Sequence, residues 1–319
     1  MGFAGAMLVA MAVDTLLGWP GVLFARIGHP VTWLGGLIGA LDERWNRPRD
    51  KYEKRRLAGV VVALAVMAVA AGAGLAVQRM MPSGWSGIVL LGVLAWPFVA
   101  LRSLYDHVAA VRDPLHAGDI EAARRAVSNI VGRDPDALDE SGIARAAIES
   151  LAENTSDGIV APLFFGALFG LPGIIGYKAI NTLDSMIGHR NERHEAFGWA
   201  AARIDDVANF IPARLTALIF AFAGDLESLS RAMSCMLRDS RRHRSPNAGW
   251  PEAAMAGSLG VRLCGPRFYD GKLAAEPWLN GMGRDPASDD ISRALEIYIR
   301  AMLIVAAVLA FLGVGLAIE

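Results

Sequence analysis

The sequence has few cysteines and few charged residues for its length. Its 319 residues include two cysteines, Cys235 and Cys264, too few for a disulfide framework or a four-thiolate zinc site. We expect both to be reduced packing residues. Charged residues make up 20% of the chain, against about a quarter in soluble domains. The formal net charge of −1 gives no attraction to a polyanion, so no nucleic-acid partner is expected.

Common nucleotide-binding and hydrolase motifs are also absent from the sequence. It contains no GxxxxGK[ST] loop, no GxGxxG before a helix, no GxSxG elbow and no HExxH pair. A nucleotide, if one is bound, must be held without these motifs. The hydrophobic fraction of 54% excludes a disordered or collagen-like chain.

The chain instead has long apolar runs. About 20 apolar residues cross a bilayer core of roughly 30 Å, and residues 57–78, 80–101 and 301–318 come close to or reach this length. The first two of these runs form a helical hairpin with a very short loop. Residues 2–25 form a fourth, irregular span that a Gly-Trp-Pro-Gly turn interrupts. The sequence therefore predicts an all-α, multi-pass integral membrane protein with about four full spans.

Two further apolar segments, 158–177 and 210–224, are harder to place. Basic residues cluster in 28–56 and 231–267, and the positive-inside rule puts both of these loops in the cytoplasm. Segment 158–177, with Gly-Leu-Pro-Gly near its middle, is then a re-entrant hairpin shielded by its neighbours, and 210–224 is a short apolar segment. The alternative is two ordinary spans that would place 178–209 outside.

The chain is predicted to be a single membrane domain over 1–319 with helical cytoplasmic loops, and its loop regions are 102–157 and 225–300. Within the second region, proline and glycine are frequent between 245 and 287, which predicts an ordered but irregular loop there. No internal repeat or low-complexity tract divides the chain.

The densest group of acidic residues precedes the predicted hairpin. On a helix, Glu149 and Glu153 share a face at i,i+4, and Asn154, Ser156 and Asp157 follow within one turn. Two such carboxylates repel each other unless a cation lies between them, and a hard ion such as Mg²⁺ prefers oxygen ligands of this kind. The alternative is a solvated, acidic helix end.

A second group follows the hairpin. Asn181, Asp184 and Ser185 share a helical face with Lys178 one turn earlier, and His189 lies just beyond. Polar residues this close to an apolar segment need partners, which makes them candidates for a site. The alternative is a set of hydrogen bonds between helices, and His189 is equally compatible with a structural role.

Two arginine-containing stretches complete the candidate groups. Asp206, Asn209 and Arg214 lie ahead of and inside the second short apolar segment, where an arginine is better explained by anion binding than by lipid contact. Arg244 and Asn247 lie in a basic loop whose arginines suit phosphate or carboxylate. The alternative for this loop is attraction to anionic lipid.

Six blocks of the sequence together resemble the CobD/CbiB family of cobalamin biosynthesis. They occur in family order between about residue 10 and residue 270, so the resemblance covers most of the chain. They are DTLLGWP from residue 14, HPVTWLG from 29, ENTSDG from 153, YKAINTLDSM from 177, DDVANFIPAR from 205 and SPNAGWPE from 245.

The resemblance implies an adenosylcobinamide-phosphate synthase in the bacterial inner membrane, with its active site facing the cytoplasm. Such an enzyme joins (R)-1-amino-2-propanol, or its O-phosphate, to a propionate carboxylate of adenosylcobyric acid. The resemblance also implies ATP as co-substrate and Mg²⁺ as cofactor. Beyond these substrates, we expect the lipid bilayer and other late membrane enzymes of the pathway as partners.

This chemistry gives each candidate residue a role. The predicted metal ligands are Glu149, Glu153 and Asp157. The predicted catalytic residues are Glu153, Asp184, His189 and Asp206, with either His189 or Asp206 as general base. The predicted residues for binding substrate or phosphate are Asn154, Ser156, Lys178, Asn181, Ser185, Asn209, Arg214, Arg244 and Asn247.

Two other functions fit the same sequence features. Broken helices and buried charges also mark transport sites, so a corrinoid or small-molecule transporter is one alternative. A non-catalytic membrane sensor of similar architecture is the other. The small number of clean spans, the absence of an evident inverted repeat and the intact polar blocks favour the ligase.

Overall fold

The computed structural model describes residues 2–130, 138–189, 191–269 and 272–315, and most of them are helical. The chain forms two compact units. The first unit comprises Met1–Ala100, Ala161–Asn209 and Val308–Glu319, and the second comprises Leu101–Val160 and Phe210–Ala307.

The helices are numbered here in chain order. They are α1 (Phe3–Leu17), α2 (Gly21–Ile27), α3 (Pro30–Trp45), α4 (Tyr52–Arg79), α5 (Trp85–Ala95), α6 (Leu101–His116), α7 (Ile120–Val127), α8 (Glu140–Thr155), α9 (Ala161–Phe169), α10 (Leu171–Ile187), α11 (Trp199–Ala208), α12 (Phe210–Ala223), α13 (Leu226–Asp239), α14 (Gly249–Leu259) and α15 (Ser288–Gly315).

Among the described residues, three helical stretches are long and apolar enough to cross a membrane. They are α4, the stretch Trp85–His116 that joins α5 to α6 through a 3₁₀ turn, and Ser288–Val314 in α15. Two bent helix pairs, one starting at α1 and one formed by α11 and α12, raise the number to five if each is one span. This range fits a multi-pass membrane protein, and the number of four full spans stays a prediction.

The N-terminal apolar run bends where the sequence predicts an interruption. α1 ends at Leu17, and the following pair of helices, Gly21–Trp45, turns away from it by 106°. Pro20 cannot donate a backbone hydrogen bond, so it prevents α1 from continuing. The run over 2–25 is therefore a broken element and not one straight helix.

The predicted hairpin consists of α9 and α10, which pack against each other. Its turn is at Gly170, whose φ of +69° lies in the left-handed region that favours glycine. The Gln78 side chain of α4 accepts the Leu171 backbone N–H over 2.8 Å and so caps the second arm. That arm continues to Ile187, beyond the predicted end at 177. Re-entry of the hairpin into the membrane stays a prediction.

The C-terminal apolar helix begins earlier than the sequence predicts. α15 starts at Ser288, whereas the predicted run covers 301–318, of which residues 316–318 lie outside the described residues.

In the second unit, α14 is the central helix, and α12 and α13 pack against it. Every residue from Pro251 to Leu259 is buried, because alanines and glycines let neighbouring helices approach from several sides. This unit also contains four short strands in the segment predicted to be an ordered but irregular loop. They are β1 (Leu263–Cys264), β2 (Arg267–Tyr269), β3 (Lys272–Ala274) and β4 (Trp278–Leu279), paired antiparallel as β1 with β4 and β2 with β3.

The four short strands correct the expectation of a purely helical chain. With them, the fold is nearly all-α. Glycine and proline are frequent between 260 and 286, and they break helices while allowing tight turns between short strands.

Two glycines of α4 provide a test of this packing. A Cβ built on Gly59 would overlap the carbonyl oxygen of Phe197, whereas one built on Gly72 meets no atom within 4 Å. We expect Gly59→Ala to lower the free energy of unfolding by about 1–3 kcal/mol through overpacking. Gly72→Ala should be neutral or stabilising, since alanine is the better helix former. Thermal unfolding of the two variants in detergent measures the difference, and equal midpoints would contradict the packing described.

Candidate functional site

A buried cluster of one thiol and two carboxylates lies in the second unit. It joins Glu149 of α8, Glu252 of α14 and Cys264 of β1, which are 3%, 3% and 1% exposed. The Cys264 thiol donates to Glu252 Oε2 over 3.0 Å, and the Cys264 backbone N–H donates to Glu149 Oε1 over 2.7 Å. One ligand atom from each residue lies within 4.8 Å of the others. The three side chains are therefore placed to hold one metal ion.

Local backbone geometry positions these side chains. Glu252 lies in the first turn of α14, and the turn before this helix is closed by Ser245 Oγ, which accepts the Ala248 N–H over 3.2 Å. Cys264 adopts a φ of +60°, which is uncommon for a residue with a side chain. The pairing of β1 with β4 sets Cys264 opposite Trp278 and fixes this conformation.

A histidine and a third carboxylate extend the cluster. His243 Nε2 lies 3.7 Å from Glu252 Oε1. His243, Cys264 and Glu276 form a second set of potential ligand atoms within 4.8 Å of one another. Glu276 Oε1 is 3.5 Å from Nε of Arg244, so this predicted phosphate-binding arginine lies beside a protein carboxylate.

Two arginines bring positive charge to this part of the unit. The guanidinium carbons of Arg145 and Arg262 lie 4.7 and 4.4 Å from the centre of the Trp278 ring. Both arginines also donate to Asp285, and the hydrogen bonds from Arg262 hold the pKa of that carboxyl below its ordinary value. Burial lowers the pKa of Arg145, while the charge of Glu149, one turn along α8, opposes that shift.

The structure brings two of the predicted anion-binding residues together. Arg214 Nη1 donates to Asn247 Oδ1 over 3.1 Å and to the Phe210 carbonyl over 2.6 Å. Its guanidinium carbon lies 3.6 Å from the Phe210 ring centre and 4.7 Å from that of Trp250. Arg241 contributes a second positive charge nearby. A fixed, planar cation of this kind suits a phosphate or carboxylate group.

The acidic residues between 149 and 157 differ in how deeply they are buried. Glu149 is buried in the cluster, Glu153 one turn later is exposed, and Asp157 is half-buried. A π-helical turn begins at Ser156, whose hydroxyl is buried and has no hydrogen-bond partner among the described residues. The Asn154 amide donates to a carbonyl of its own helix over 2.9 Å. π-helical turns are frequent at functional sites.

The predicted polar stripe of α10 lies in the first unit. Lys178, Asn181 and Asp184 are half-buried, and Ser185 and His189 are exposed. The Ser185 hydroxyl donates to the Asn181 carbonyl over 2.9 Å, which is a bond within the helix. The stripe thus runs from partly enclosed to exposed positions toward the C-terminus of the helix.

Asp184, the carboxyl of this stripe, has a perturbed pKa. Burial raises the pKa of Asp184, the positive charges of His189 and Arg203 oppose the rise, and the negative charge of Asp206 adds to it. Asp206 in turn forms an ion pair with Arg203 over 2.9 Å. The three predicted catalytic residues of this unit therefore form one electrostatic group.

Asn209 is held by the protein on both sides of its amide. Its Oδ1 accepts the Tyr177 hydroxyl over 2.8 Å, and its Nδ2 donates to Asp205 Oδ2 over 3.0 Å. It is 1% exposed. This geometry links α10 to α11 within the first unit.

The sequence analysis missed four members of the buried cluster, His243, Glu252, Cys264 and Glu276. Glu252 lies inside the SPNAGWPE block, so that block contained a signal. Neither Cys235 nor Cys264 forms a disulfide, but Cys264 contacts two carboxylates and is more than the packing residue that we expected.

Comparison with known proteins identifies the relatives of this chain. It matches the family described as CobD/Cbib protein over residues 7–298. It is 62% identical to the cobalamin biosynthesis protein CobD of Rhodobacter capsulatus over 302 residues, or 95% of each chain. It is 46% identical to the CobD protein of Brucella suis over 318 residues, which is 96% of this chain and 97% of the relative. No solved structure gives a significant match.

The helical fold and the three to five candidate spans fit a multi-pass membrane protein. The family match spans nearly the whole sequence, and the curated relatives are covered almost end to end. The chain therefore belongs to the CobD/CbiB family, which confirms the resemblance seen in its motifs.

Asp184→Asn tests whether the partly buried Asp184 carboxylate lowers the stability of the folded protein. Because its folded-state pKa is raised, the carboxyl contributes stability below its ordinary pKa, and that contribution is lost as pH rises through the raised value. At neutral pH the uncharged amide should leave the thermal midpoint in detergent equal or higher. The difference should shrink as pH is lowered from about 8 to about 4.

The control is Glu195→Gln, which changes an exposed carboxylate of the same unit and should have little effect on stability. A lower midpoint for Asp184→Asn than for wild type at neutral pH would contradict the burial cost assigned to this carboxylate.

Proposed function

We propose that the protein is an ATP-dependent acid–amine ligase of cobalamin biosynthesis. It joins the amine of (R)-1-amino-2-propanol, or of its O-phosphate, to a propionate carboxylate of adenosylcobyric acid, giving adenosylcobinamide or its phosphate. Family membership supports the pathway. The observation that carries the chemistry is the anion site of Arg214 and Asn247, fixed by aromatic rings in the unit that also holds the exposed Glu153.

The reaction needs an activated carboxylate, because a free carboxylate is a poor acyl donor. Transfer of the terminal phosphoryl group of ATP to the carboxylate gives an acyl phosphate and ADP. The amine nitrogen then attacks the carbonyl carbon, the C–N bond forms, phosphate leaves, and a base accepts the proton lost by nitrogen. Each step concentrates negative charge that cationic groups must stabilise.

Glu153 and Asp157 are the acidic residues that fit Mg²⁺ bound with ATP. Mg²⁺ keeps several waters and phosphate oxygens and uses only one or two protein carboxylates, which suits side chains that are exposed or half-buried. Glu149 fits this ion poorly, because it accepts the Cys264 N–H and lies beside a thiol. When bound, Mg²⁺ supplies charge neutralisation for phosphoryl transfer. Asn154 and Ser156, on the same segment, contact the nucleotide in this proposal.

The anion-binding groups hold the acyl and amine substrates. In the second unit, Arg214 and Asn247 bind a phosphate or carboxylate, and Arg244 adds charge from the same loop. In the first unit, Lys178 offers a cation, with Asn181 and Ser185 as hydrogen-bonding residues of the stripe.

The base that accepts the proton from the amine is drawn from Asp184, His189 and Asp206. A raised pKa brings the Asp184 carboxyl nearer to the operating pH, where proton transfer is efficient. Asn209 acts as a positioning residue, because it ties Tyr177 to Asp205 through both ends of its amide.

We further propose that the enzyme resides in the bacterial inner membrane with its basic loops and active site facing the cytoplasm. The candidate spans and the basic clusters at 28–56 and 231–267 support this orientation. Association with other late membrane enzymes of the pathway would pass a large corrinoid between sites.

The first test is a mass-spectrometric assay of the purified protein in detergent. With adenosylcobyric acid, ATP and Mg²⁺, we expect a product whose mass equals condensation with loss of water. Parallel reactions with aminopropanol and with its phosphate identify the preferred amine. Product that forms without ATP, or bound corrinoid that never condenses with either amine, would reject the ligase in favour of a transporter or sensor.

Glu153→Gln should reduce the condensation rate at least about 100-fold, since it removes a carboxylate from the ion that neutralises the nucleotide. Glu140→Gln, an exposed change at the start of the same helix, should keep wild-type activity. Full activity of Glu153→Gln would remove this residue from the site.

Arg214→Lys keeps the charge but loses the planar fork that reaches Asn247 and packs between the rings. We expect kcat/KM to fall about 10- to 100-fold, which corresponds to one charge-assisted hydrogen bond. The matched control is Arg231→Lys at an exposed position of α13. An equal effect of the two substitutions would contradict a specific anion site at Arg214.

A further inference from the structure

We propose that Glu149, Glu252 and Cys264 bind a zinc-class divalent ion, with His243 as fourth ligand. This site is separate from the Mg²⁺ that accompanies ATP and does not depend on the ligase reaction.

The ligand atoms are already close enough to share an ion. The three atoms lie within 4.8 Å of one another, and the Cys264 sulfur is 3.0 Å from Glu252 Oε2. His243 Nε2 approaches the other oxygen of the same carboxylate at 3.7 Å. Two ligands of one zinc ion at about 2.0–2.3 Å are separated by three to four ångströms, so Glu149, Glu252 and Cys264 need little movement. His243, which lies within 4.8 Å of Cys264 and Glu276, would have to move to join them.

Burial makes a cation favourable at this position. Glu149 and Glu252 are each 3% exposed, and two buried carboxylates beside a thiol carry a large desolvation penalty if they are ionised. Arg145 offsets part of the charge of Glu149, and Arg244 lies beside Glu276 at the edge of the cluster. A divalent ion would balance negative charge on Glu252 and on a Cys264 thiolate.

The set of donor atoms selects the class of metal. Mg²⁺ and Ca²⁺ are bound through oxygen and rarely through sulfur or imidazole. A mixture of thiolate, imidazole and carboxylate is typical of zinc and neighbouring transition metals. Cysteine and histidine at this site therefore argue against magnesium and for zinc.

Groups around the ligands would hold them in the required orientation. The Cys264 backbone N–H donates to Glu149 Oε1 and so fixes the orientation of that carboxylate beside the thiol. His243 Nδ1 accepts the Ser245 backbone N–H over 3.0 Å and lies 3.3 Å from the Ser245 carbonyl oxygen. Metal binding by Nε2 requires the tautomer with the proton on Nδ1, which would donate to that carbonyl in place of accepting the N–H.

Four protein ligands leave no open position on a tetrahedral ion, which indicates a stabilising role. The ligands come from α8, from the segment before α14, from α14 itself and from β1. The ion would therefore tie β1, and the β4 strand paired with it, to the helices of the second unit.

The test uses the two buried cysteines as a matched pair. The full-length protein is purified in detergent without chelator, and its metal content is measured by elemental mass spectrometry. We expect about one zinc ion per chain. The zinc content of Cys264→Ser should be at least about ten-fold lower than that of wild type, since a thiolate ligand is removed. Cys235→Ser should retain it, because burial raises the pKa of the Cys235 thiol to about 12 and its sulfur donates to Asp239, which is not a proposed ligand.

Cobalt substitution keeps the proposal testable if Cys264→Ser fails to fold. Wild-type protein grown with Co²⁺ should show a thiolate-to-cobalt charge-transfer band together with the visible bands of a tetrahedral ion. Glu252→Gln should shift or abolish these bands. Wild-type protein without stoichiometric zinc and without a cobalt–thiolate band overturns the proposal, as does equal metal loss from the two cysteine variants. Condensation activity is measured separately, so failure of the ligase proposal would not affect this result.

Discussion

The cost of burying charge governs the second unit of this protein. A carboxylate removed from water is tolerated only where hydrogen bonds or opposite charge replace its hydration. Asp239, 1% exposed, illustrates the ordinary solution, because it accepts hydrogen bonds from Arg238 and from the Asn280 backbone. These bonds hold the pKa of Asp239 below its usual value despite burial. Glu149 and Glu252 are buried to a similar degree, but both accept hydrogen bonds from Cys264, Glu149 from its backbone N–H and Glu252 from its thiol.

The central helix of the unit explains why such burial is possible. α14 is packed on several sides and consists largely of alanine and glycine between its proline and its last leucine. Small side chains bring the surrounding helices close, so a glutamate in the first turn has little route to solvent. Glu252 is therefore fixed by packing as well as by its hydrogen bond, which is the condition for a preorganised ligand.

Local sequence signals predicted most of the helical elements. Apolar runs located α4 and the C-terminal helix, and glycine and proline located the breaks at Gly18 and Gly170. The strands between 263 and 279 were missed because each is two or three residues long, too short for an alternating pattern.

The sites were harder to predict, because they depend on contacts between distant parts of the sequence. Arg214 and Asn247 were each singled out from local context, but only the fold brings them within 3.1 Å. Glu149 was predicted as a metal ligand together with its i,i+4 neighbour Glu153. In the structure it contacts Cys264, which lies 115 residues further along the chain. Periodicity placed both glutamates on one helical face and could not indicate that the chain covers one and leaves the other exposed.

In the two metal sites that we propose, this difference in burial separates two kinds of metal chemistry along a single helix. A hard ion that arrives with a nucleotide must exchange water and phosphate, and it needs carboxylates at the surface, such as Glu153. An ion held for stability needs a dry set of ligands drawn from distant segments, and Glu149 with Glu252 and Cys264 meets that requirement. The two glutamates are one helical turn apart. Because β1 covers Glu149 and leaves Glu153 exposed, the same stretch of α8 can provide a ligand to each of the two proposed ions. The short β1–β4 pair, which covers the buried position, is thus as important to the site as the helices that carry the acids.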